Sequence, residues 1–371
     1  TSLSPCHFSE SAQLAAKSLR PLPEKWHGLK DVEIRYRQRY LDLIANPDIK
    51  KVFLKRSQII SSIRGYLDKN GYLEVETPMM HPIPGGAAGR PFKTHHNEYD
   101  ADLYLRIAPE LYLKRLLVGG FERVYEINRS FRNEGVSSRH NPEFTMLEAY
   151  AAYSDCQGMM SLTEEIIIEA ARSAGLGLKF EYQGKEIDMS PPWKRYSFSD
   201  VVKDKFGIVP EDSAEVMLAK LQAKGRALNE KRLSRSQVVK LVEDTLQEGC
   251  DFSPVFFTDY FSILCPLAKN KPDNPFISER FELFIAGMEV ANAYSELNDP
   301  LEQRRRLEEE ISEAESGSLR MLDEDFITAL EYGMPPAGGL GIGIDRLAMI
   351  LTNQPSIRDV ILFPLLRPNV T

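Results

Sequence analysis

From residue 49 to residue 69, apolar side chains return at three- and four-residue steps. Val52, Ile59, Ile60, Ile63 and Leu67 follow the period of one face of an α-helix. Gly71 then stops the pattern, because glycine accepts the left-handed backbone that closes a helix. Tyr72 to Pro78 alternates as an extended strand, and Pro78, which cannot donate to a ladder, predicts a sheet edge or a strand end. Three short runs of period two follow, over 103–107, 123–128 and 144–150, with a short helix over 111–117 among them. Helical patterning returns over 161–174 and 214–247. Residues 281–285 and 290–297 read as strands and 301–315 as an exposed helix laced with charge; 338–343 is a glycine-rich strand entering a helix over 344–351. Strands in clusters, with helices set apart from them, predict an α+β fold rather than an alternating α/β sheet. The first twenty or so residues hold no sustained period and run into Pro21 and Pro23, as a linker or a cut end would.

Composition narrows the class. With 371 residues, 43% of them hydrophobic, the chain can bury a full core as one large domain or two ordinary ones. The longest apolar stretches, such as Leu116-Leu117-Val118, are far too short for a bilayer, and no cationic segment followed by an apolar one opens the chain. Cys6, Cys156, Cys250 and Cys265 are scattered and form no CxxC pair, so no zinc site or disulfide framework is predicted and a reducing cytoplasmic setting is expected. The net charge of -8 excludes a generally basic nucleic-acid surface, so any such contact must be local. Lys17, Arg20, Lys25, Lys30, Arg35, Arg37 and Arg39 make one basic stretch, although charge runs are more often solvated faces.

Three segments carry candidate chemistry. After Phe131-Arg132-Asn133-Glu134-Gly135 and Arg139-His140-Asn141-Pro142, strand alternation puts Phe144, Met146, Glu148 and Tyr150 on one face. A charged hairpin explains the turn residues, whereas a carboxylate among aromatics suggests a pocket wall. Asn292, Tyr294 and Glu296 share a second strand face. If the two faces meet, Glu148 and Glu296 form an acidic pocket suited to an ammonium group; taken singly, each is better read as a solvated glutamate. Glu282 and Glu289, seven residues apart, are a weak candidate pair for Mg²⁺. In the third segment Gly339, Gly341 and Gly343 leave one strand face bare, so a flat ligand or another backbone can approach, and Arg346 opens a helix whose N-terminus favours phosphate. Neither a Walker sequence nor a Rossmann fingerprint is present.

Together these segments resemble the signature motifs of class II aminoacyl-tRNA synthetases, and from about Leu19 onward the match is to the lysyl enzymes. The helix and strand ending at Pro78 look like motif 1, Phe131-Arg132-Asn133-Glu134 like motif 2, and Gly341-Ile342-Gly343-Ile344-Asp345-Arg346 like motif 3. The runs 35–43, 106–115 and 295–300 sharpen the subgroup. The resemblance implies a mostly antiparallel sheet flanked by helices, a homodimer through motif 1, and a reaction in which ATP activates L-lysine before transfer to tRNA(Lys). It also implies residue roles. Arg132 would hold the α-phosphate and the lysine carboxylate, Glu134 the adenine edge, Phe144 and Arg346 the two adenine faces, and His140 the outer phosphates. Glu282 and Glu289 would hold Mg²⁺. Gly86 and Glu110 would meet the α-amino group, Asn292 the carboxylate, Tyr294 the aliphatic stem, and Glu148, Tyr150 and Glu296 the ε-ammonium.

Two departures from the lysyl pattern stand out. Those enzymes carry an N-terminal OB-fold that grips the anticodon, and a five-stranded barrel cannot be built ahead of Leu19. Residues 1–30 are therefore expected to be a remnant or linker and 31–371 the catalytic domain, with a helical insertion at about 195–250. In addition, Phe261 and Ile263 stand where the family usually has Pro and Glu, which predicts altered local geometry and lowered activity. Two rivals differ in function: a ligase that lysylates a protein such as elongation factor P, which carries Ala at the position of Gly341, and a non-catalytic regulator, which should have lost phosphate or metal residues.

Overall fold

The computed structural model describes residues 17–21, 28–87, 89–225, 233–247, 251–313 and 319–368. Cys6, Lys25 and Cys250 lie outside them, as does most of the expected 1–30 linker. The chain divides into two compact units, Thr1–Lys51 and Val52–Thr371. In the first, helices Val32–Arg37 and Arg39–Ala45 are ordered by Asp42, which pairs with Arg35 at 2.8 Å and with Arg39 at 2.6 Å. Arg37 pairs with Glu33. Three of the seven basic residues, Arg35, Arg37 and Arg39, are thus paired within their own unit on two carboxylates.

The second unit is built on an eight-stranded sheet. Its strands are β1 (Leu73–Glu74), β2 (Arg123–Phe131), β3 (Glu143–Ala152), β4 (Lys194–Ser197), β5 (Val255–Thr258), β6 (Arg280–Ile285), β7 (Met288–Ser295) and β8 (Ala337–Gly343). Across the sheet they lie in the order β1-β2-β3-β8-β7-β6-β5-β4. The interior pairs are antiparallel, and parallel pairs, β1 with β2 and β4 with β5, close the two edges. With helices set on its faces, this is the expected α+β architecture. The strand expected over 72–78 shortens to β1 at the edge.

Alternation divides the two faces of the sheet. Leu147, Ala149, Leu283, Ala291, Leu340 and Ile342 point into the main core. There they meet α1 (Pro47–Lys69), whose Val52, Ile59, Ile63 and Leu67 are buried as its period predicts, and a further helix, Cys156–Ser173. Burying a side chain of this size contributes roughly 1.5–3 kcal/mol. On the opposite face two smaller cores stand at either end. One gathers α2 (Glu110–Val118) and the helix Glu324–Glu331 around Leu113, Leu117, Phe326 and Leu330. The other gathers helices Phe198–Phe206, Ala214–Ala223 and Arg235–Gln247 of the expected insertion against Phe257 and Phe284. Between them the sheet surface is polar.

Phe261 is buried in the second of these small cores, edge-on to Phe198 at 5.5 Å, and Ile263 packs against the same cluster. The two departures thus fill an apolar core. The helix expected to be simply exposed, Pro300–Ser312, instead buries Gln303 and Arg306. Gln303 donates to the Pro266 carbonyl at 3.1 Å and Arg306 to that of Ala268 at 2.8 Å, so one charged-looking face satisfies buried backbone. Residues 314 and 315 of that expected helix lie outside the described ones. No described helix is long and apolar enough to cross a membrane.

Candidate functional site

Strand register assembles the site floor. Glu126, Glu148, Gly341, Asn292 and Glu282 lie directly opposite one another across β2, β3, β8, β7 and β6. Two residues along, Tyr150, Gly339, Tyr294 and Arg280 form a parallel row. The two faces read from sequence therefore do meet, with the glycine strand between them.

Gly339 shows why that strand must be bare. A Cβ there would lie 1.9 Å from Glu296 Oε1 and 2.6 Å from Tyr150 Cε1, so the space is taken by the pocket's own side chains. At Gly341 a Cβ would meet nothing closer than the mobile end of Met146, at 3.3 Å.

Around Gly339 the carboxylates of Glu110, Glu148 and Glu296 are all buried. Tyr150 donates to Glu148 at 3.0 Å, and Tyr294 donates to Glu110 at 2.6 Å. Lys114, also buried, sits 2.6 Å from Glu110 Oε1 and 2.5 Å from Glu296 Oε2, while Glu296 Oε1 has no hydrogen-bond partner. Burial, reinforced by Glu110, pushes the Glu148 carboxyl up to about 8. Burial pushes Glu296 up as well, against the pull of Lys114. Such groups lack countercharge, which an ammonium ligand supplies. Gly86 lies beside Glu110, where its Cβ would be 3.4 Å from that of the glutamate.

The second cluster is cationic. Arg132 leaves β2 and lies over the Phe144 ring at 5.1 Å, with its Nε buried and unpartnered. Desolvation lowers its pKa. An orphaned guanidinium nitrogen of this kind fits a carboxylate or a phosphate. The Glu134 carboxylate accepts from the Arg90 backbone at 3.3 Å, tying the motif 2 turn to the neighbouring loop. Arg346, in α9 (Ile344–Leu351), reaches back to the Glu289 carbonyl at 2.7 Å and to His140 Nε2 at 3.0 Å. Because arginine can only donate, His140 accepts at Nε2 and donates from Nδ1 to Ser137 Oγ at 2.9 Å. Partial burial and the Arg346 charge lower the His140 pKa, which keeps the ring neutral.

Glu289 joins this cluster through a β-bulge. Leu283 pairs with Ala291 but Phe284 pairs with Glu289, which leaves Val290 as the extra residue. Val290 and Ala291 both point into the main core, so Glu289 shares the polar face with Asn292, three residues on. Burial, with like charge from Glu289 added, pushes Glu282 up to about 8 even beside Arg280. Arg346 and Arg280 hold Glu289, which is half-buried, below the usual range against the desolvation that raises it. Two carboxylates on one sheet face fit a divalent cation that takes its remaining ligands from water and phosphate. Among the described residues no group of three or more His, Cys, Asp or Glu forms an all-protein metal cage.

Several organising residues carry no sequence signal of their own. Arg280 donates to Asn292 Oδ1 at 3.1 Å, pairs with Glu282 and lies over Tyr260 at 4.7 Å. Its place two residues before Glu282, on the same strand face, is the one available hint. Asp345 accepts from the Thr145 N–H at 2.7 Å and pairs with Arg56 at 2.6 Å, tying α9 to β3 and α1. Lys114, one turn after Glu110, reads in sequence as an ordinary i,i+4 surface pair.

The family model for class II tRNA synthetases (D, K and N) matches residues 31–367. A curated relative from Pelotomaculum thermopropionicum, named Lysine--tRNA ligase, is 57% identical over 365 residues, covering 97% of this chain and 72% of the relative. Relatives of the same name from Moorella thermoacetica and Bacillus subtilis are 56% and 53% identical, each over 96% of this chain and over 73% and 72% of their own length.

Proposed function

The chain belongs to the class II tRNA synthetases of the D, K and N group, and we infer that it is an ATP-dependent lysine–tRNA ligase. The observation that carries the choice of amino acid is the buried triad of Glu110, Glu148 and Glu296 next to an unpartnered Arg132 nitrogen. An amino acid with two ammonium groups and one carboxylate complements that arrangement. Glu148, Tyr150 and Glu296 take the ε-ammonium, Tyr294 lines the stem, Glu110 and the Gly86 backbone take the α-amino group, and Arg132 and Asn292 take the carboxylate. An apolar side chain would leave carboxylates buried without countercharge, a loss of at least about 3 kcal/mol.

ATP lies over Phe144 with Arg346 on its other face, its adenine edge at Glu134, its α-phosphate at Arg132 and its outer phosphates near neutral His140. Glu282 and Glu289 would hold a divalent cation, Mg²⁺, which would neutralise phosphate charge. The lysine carboxylate oxygen attacks the α-phosphorus, the bond to the β-phosphate oxygen breaks, and pyrophosphate leaves. The 3′-terminal ribose hydroxyl of tRNA(Lys) then attacks the lysyl carbonyl and AMP leaves. No protein nucleophile takes part; positioning and the two arginines supply the rate. Leu54, Leu73 and Met80, in or beside motif 1, are exposed apolar side chains of the kind that a homodimer contact through motif 1 would cover.

The test is ATP–pyrophosphate exchange with each of the twenty amino acids, followed by tRNA charging. Lysine should stimulate exchange best and be joined to tRNA(Lys). Best stimulation by another amino acid would overturn the substrate, and lysine-dependent exchange without charging would overturn tRNA as the acceptor.

A further inference from the structure

We propose that Lys114 is the internal counter-cation of the amino-acid pocket: its ammonium ties Glu110 to Glu296, so that the pocket with all three carboxylates ionised carries a net charge of minus two, which a substrate with two ammonium groups neutralises. The proposal rests on the lysine reading of that pocket. Lys114 is fully buried on α2, one helical turn beyond Glu110, and its Nζ contacts Glu110 at 2.6 Å and Glu296 at 2.5 Å. It also lies 5.5 Å from the Tyr294 ring centroid, a position where a cation is favoured. A buried ammonium is strongly penalised unless paired, and here two carboxylates from different elements hold it.

Charge balance gives this lysine a role beyond packing. The pocket holds three carboxylates, Glu110, Glu148 and Glu296, and one ammonium; in the ionised form that lysine binds, three negative charges against one positive leave two unmatched. Arg106 and Glu126, buried nearby, cancel each other at 2.7 Å. The tyrosines facing the pocket, Tyr150 and Tyr294, have pKa values raised far above neutrality by burial and by the carboxylates, so they stay neutral donors. Lysine brings an α- and an ε-ammonium, which makes the sum zero. Its carboxylate is balanced separately by Arg132. Lys114 therefore acts on the substrate through Glu110 and Glu296: it is a positioning residue that occupies one oxygen of each and leaves the other free.

The test is the lysine dependence of exchange in Lys114→Met and Lys114→Arg, with KM for lysine and for ATP measured separately from pH 6.5 to 9. In Lys114→Met the pocket loses its one positive charge, and its carboxylates hold up to one further proton in compensation. Lysine binding must expel that proton, so KM for lysine should rise about 30-fold or more near neutral pH and fall with rising pH. KM for ATP should stay within about twofold, and Lys114→Arg, which restores the cation, should recover part of the loss. Calorimetry in buffers of different ionisation enthalpy should record up to one additional proton released per lysine bound to Lys114→Met.

Unchanged lysine KM and proton release in a folded Lys114→Met would overturn the proposal, as would parallel loss of lysine and ATP affinity. Should Lys114→Met not fold, ¹⁵N-lysine NMR of the unsubstituted protein decides. A protected Nζ signal, absent in Lys114→Arg, should remain an ammonium at pH 8 and move on adding lysine but not ATP; a neutral amine or no response to lysine would overturn it. Absence of lysine-dependent exchange in the unsubstituted protein would instead sink the pocket reading itself, which separates the two failures.

Discussion

At the scale of single residues, the pocket is defined as much by a missing atom as by its carboxylates. Gly339 gives up its side-chain space to Glu296 and Tyr150, so a methyl group there forces one of them out of position. Gly339→Ala is expected to raise KM for lysine by about fivefold or more, the effect of about 1–3 kcal/mol of overpacking in a filled site. Gly341→Ala, two residues along the same strand face, meets only the flexible end of Met146 and should alter KM for lysine less than about threefold. Steady-state exchange kinetics of the two variants side by side check the contrast. Equal effects would show that the glycines serve the strand rather than the pocket.

At the scale of elements, sequence period located most of the scaffold. The alternation of Phe144, Met146, Glu148 and Tyr150 is that of β3, and the glycine-rich run and the helix after it coincide with β8 and α9. What stayed illegible depends on contacts distant in sequence. The extra residue Val290 inverts the parity of β7, and no local pattern tells an apolar pair split by a bulge from an ordinary strand. Charge in a helix likewise reads as exposure in Pro300–Ser312, because the carbonyls that Arg306 satisfies belong to a loop some forty residues away. The joint between α1, β3 and α9 is of the same kind. Arg56→Met leaves the Asp345 carboxylate buried without its cation and should lower the free energy of unfolding by about 3 kcal/mol, read from urea denaturation. It should also raise KM for ATP, since Asp345 fixes the Thr145 backbone beside Phe144. In a double-mutant cycle with Asp345→Asn, the coupling should be about 1 kcal/mol or more. Additive effects would remove the joint from any role in holding β3.

At the scale of the whole molecule, the unliganded pocket sets stability against function. The Glu148 carboxyl is pushed up to about 8 by burial and by Glu110, whereas in the unfolded chain it titrates near 4.5. A carboxyl raised in this way favours the folded state fully below pH 4.5, and that contribution is lost as pH rises through 8. In the interval the loss approaches about 1.4 kcal/mol per pH unit from this one group. Glu148→Gln cannot ionise, so the unliganded variant should melt above the unsubstituted protein by a margin that grows from pH 5 to pH 8. Lysine has the opposite linkage. It brings the countercharge, binds the ionised pocket better, and should raise the melting temperature of the unsubstituted protein more at pH 8 than at pH 6. In Glu148→Gln that pH-dependent gain should largely disappear. Thermal unfolding of both proteins across this range, with and without lysine, makes the comparison, and a margin that does not change with pH would show Glu148 already ionised in the empty pocket. The same buried carboxylates that select lysine then make the empty enzyme less stable as pH rises, and substrate binding reverses the effect.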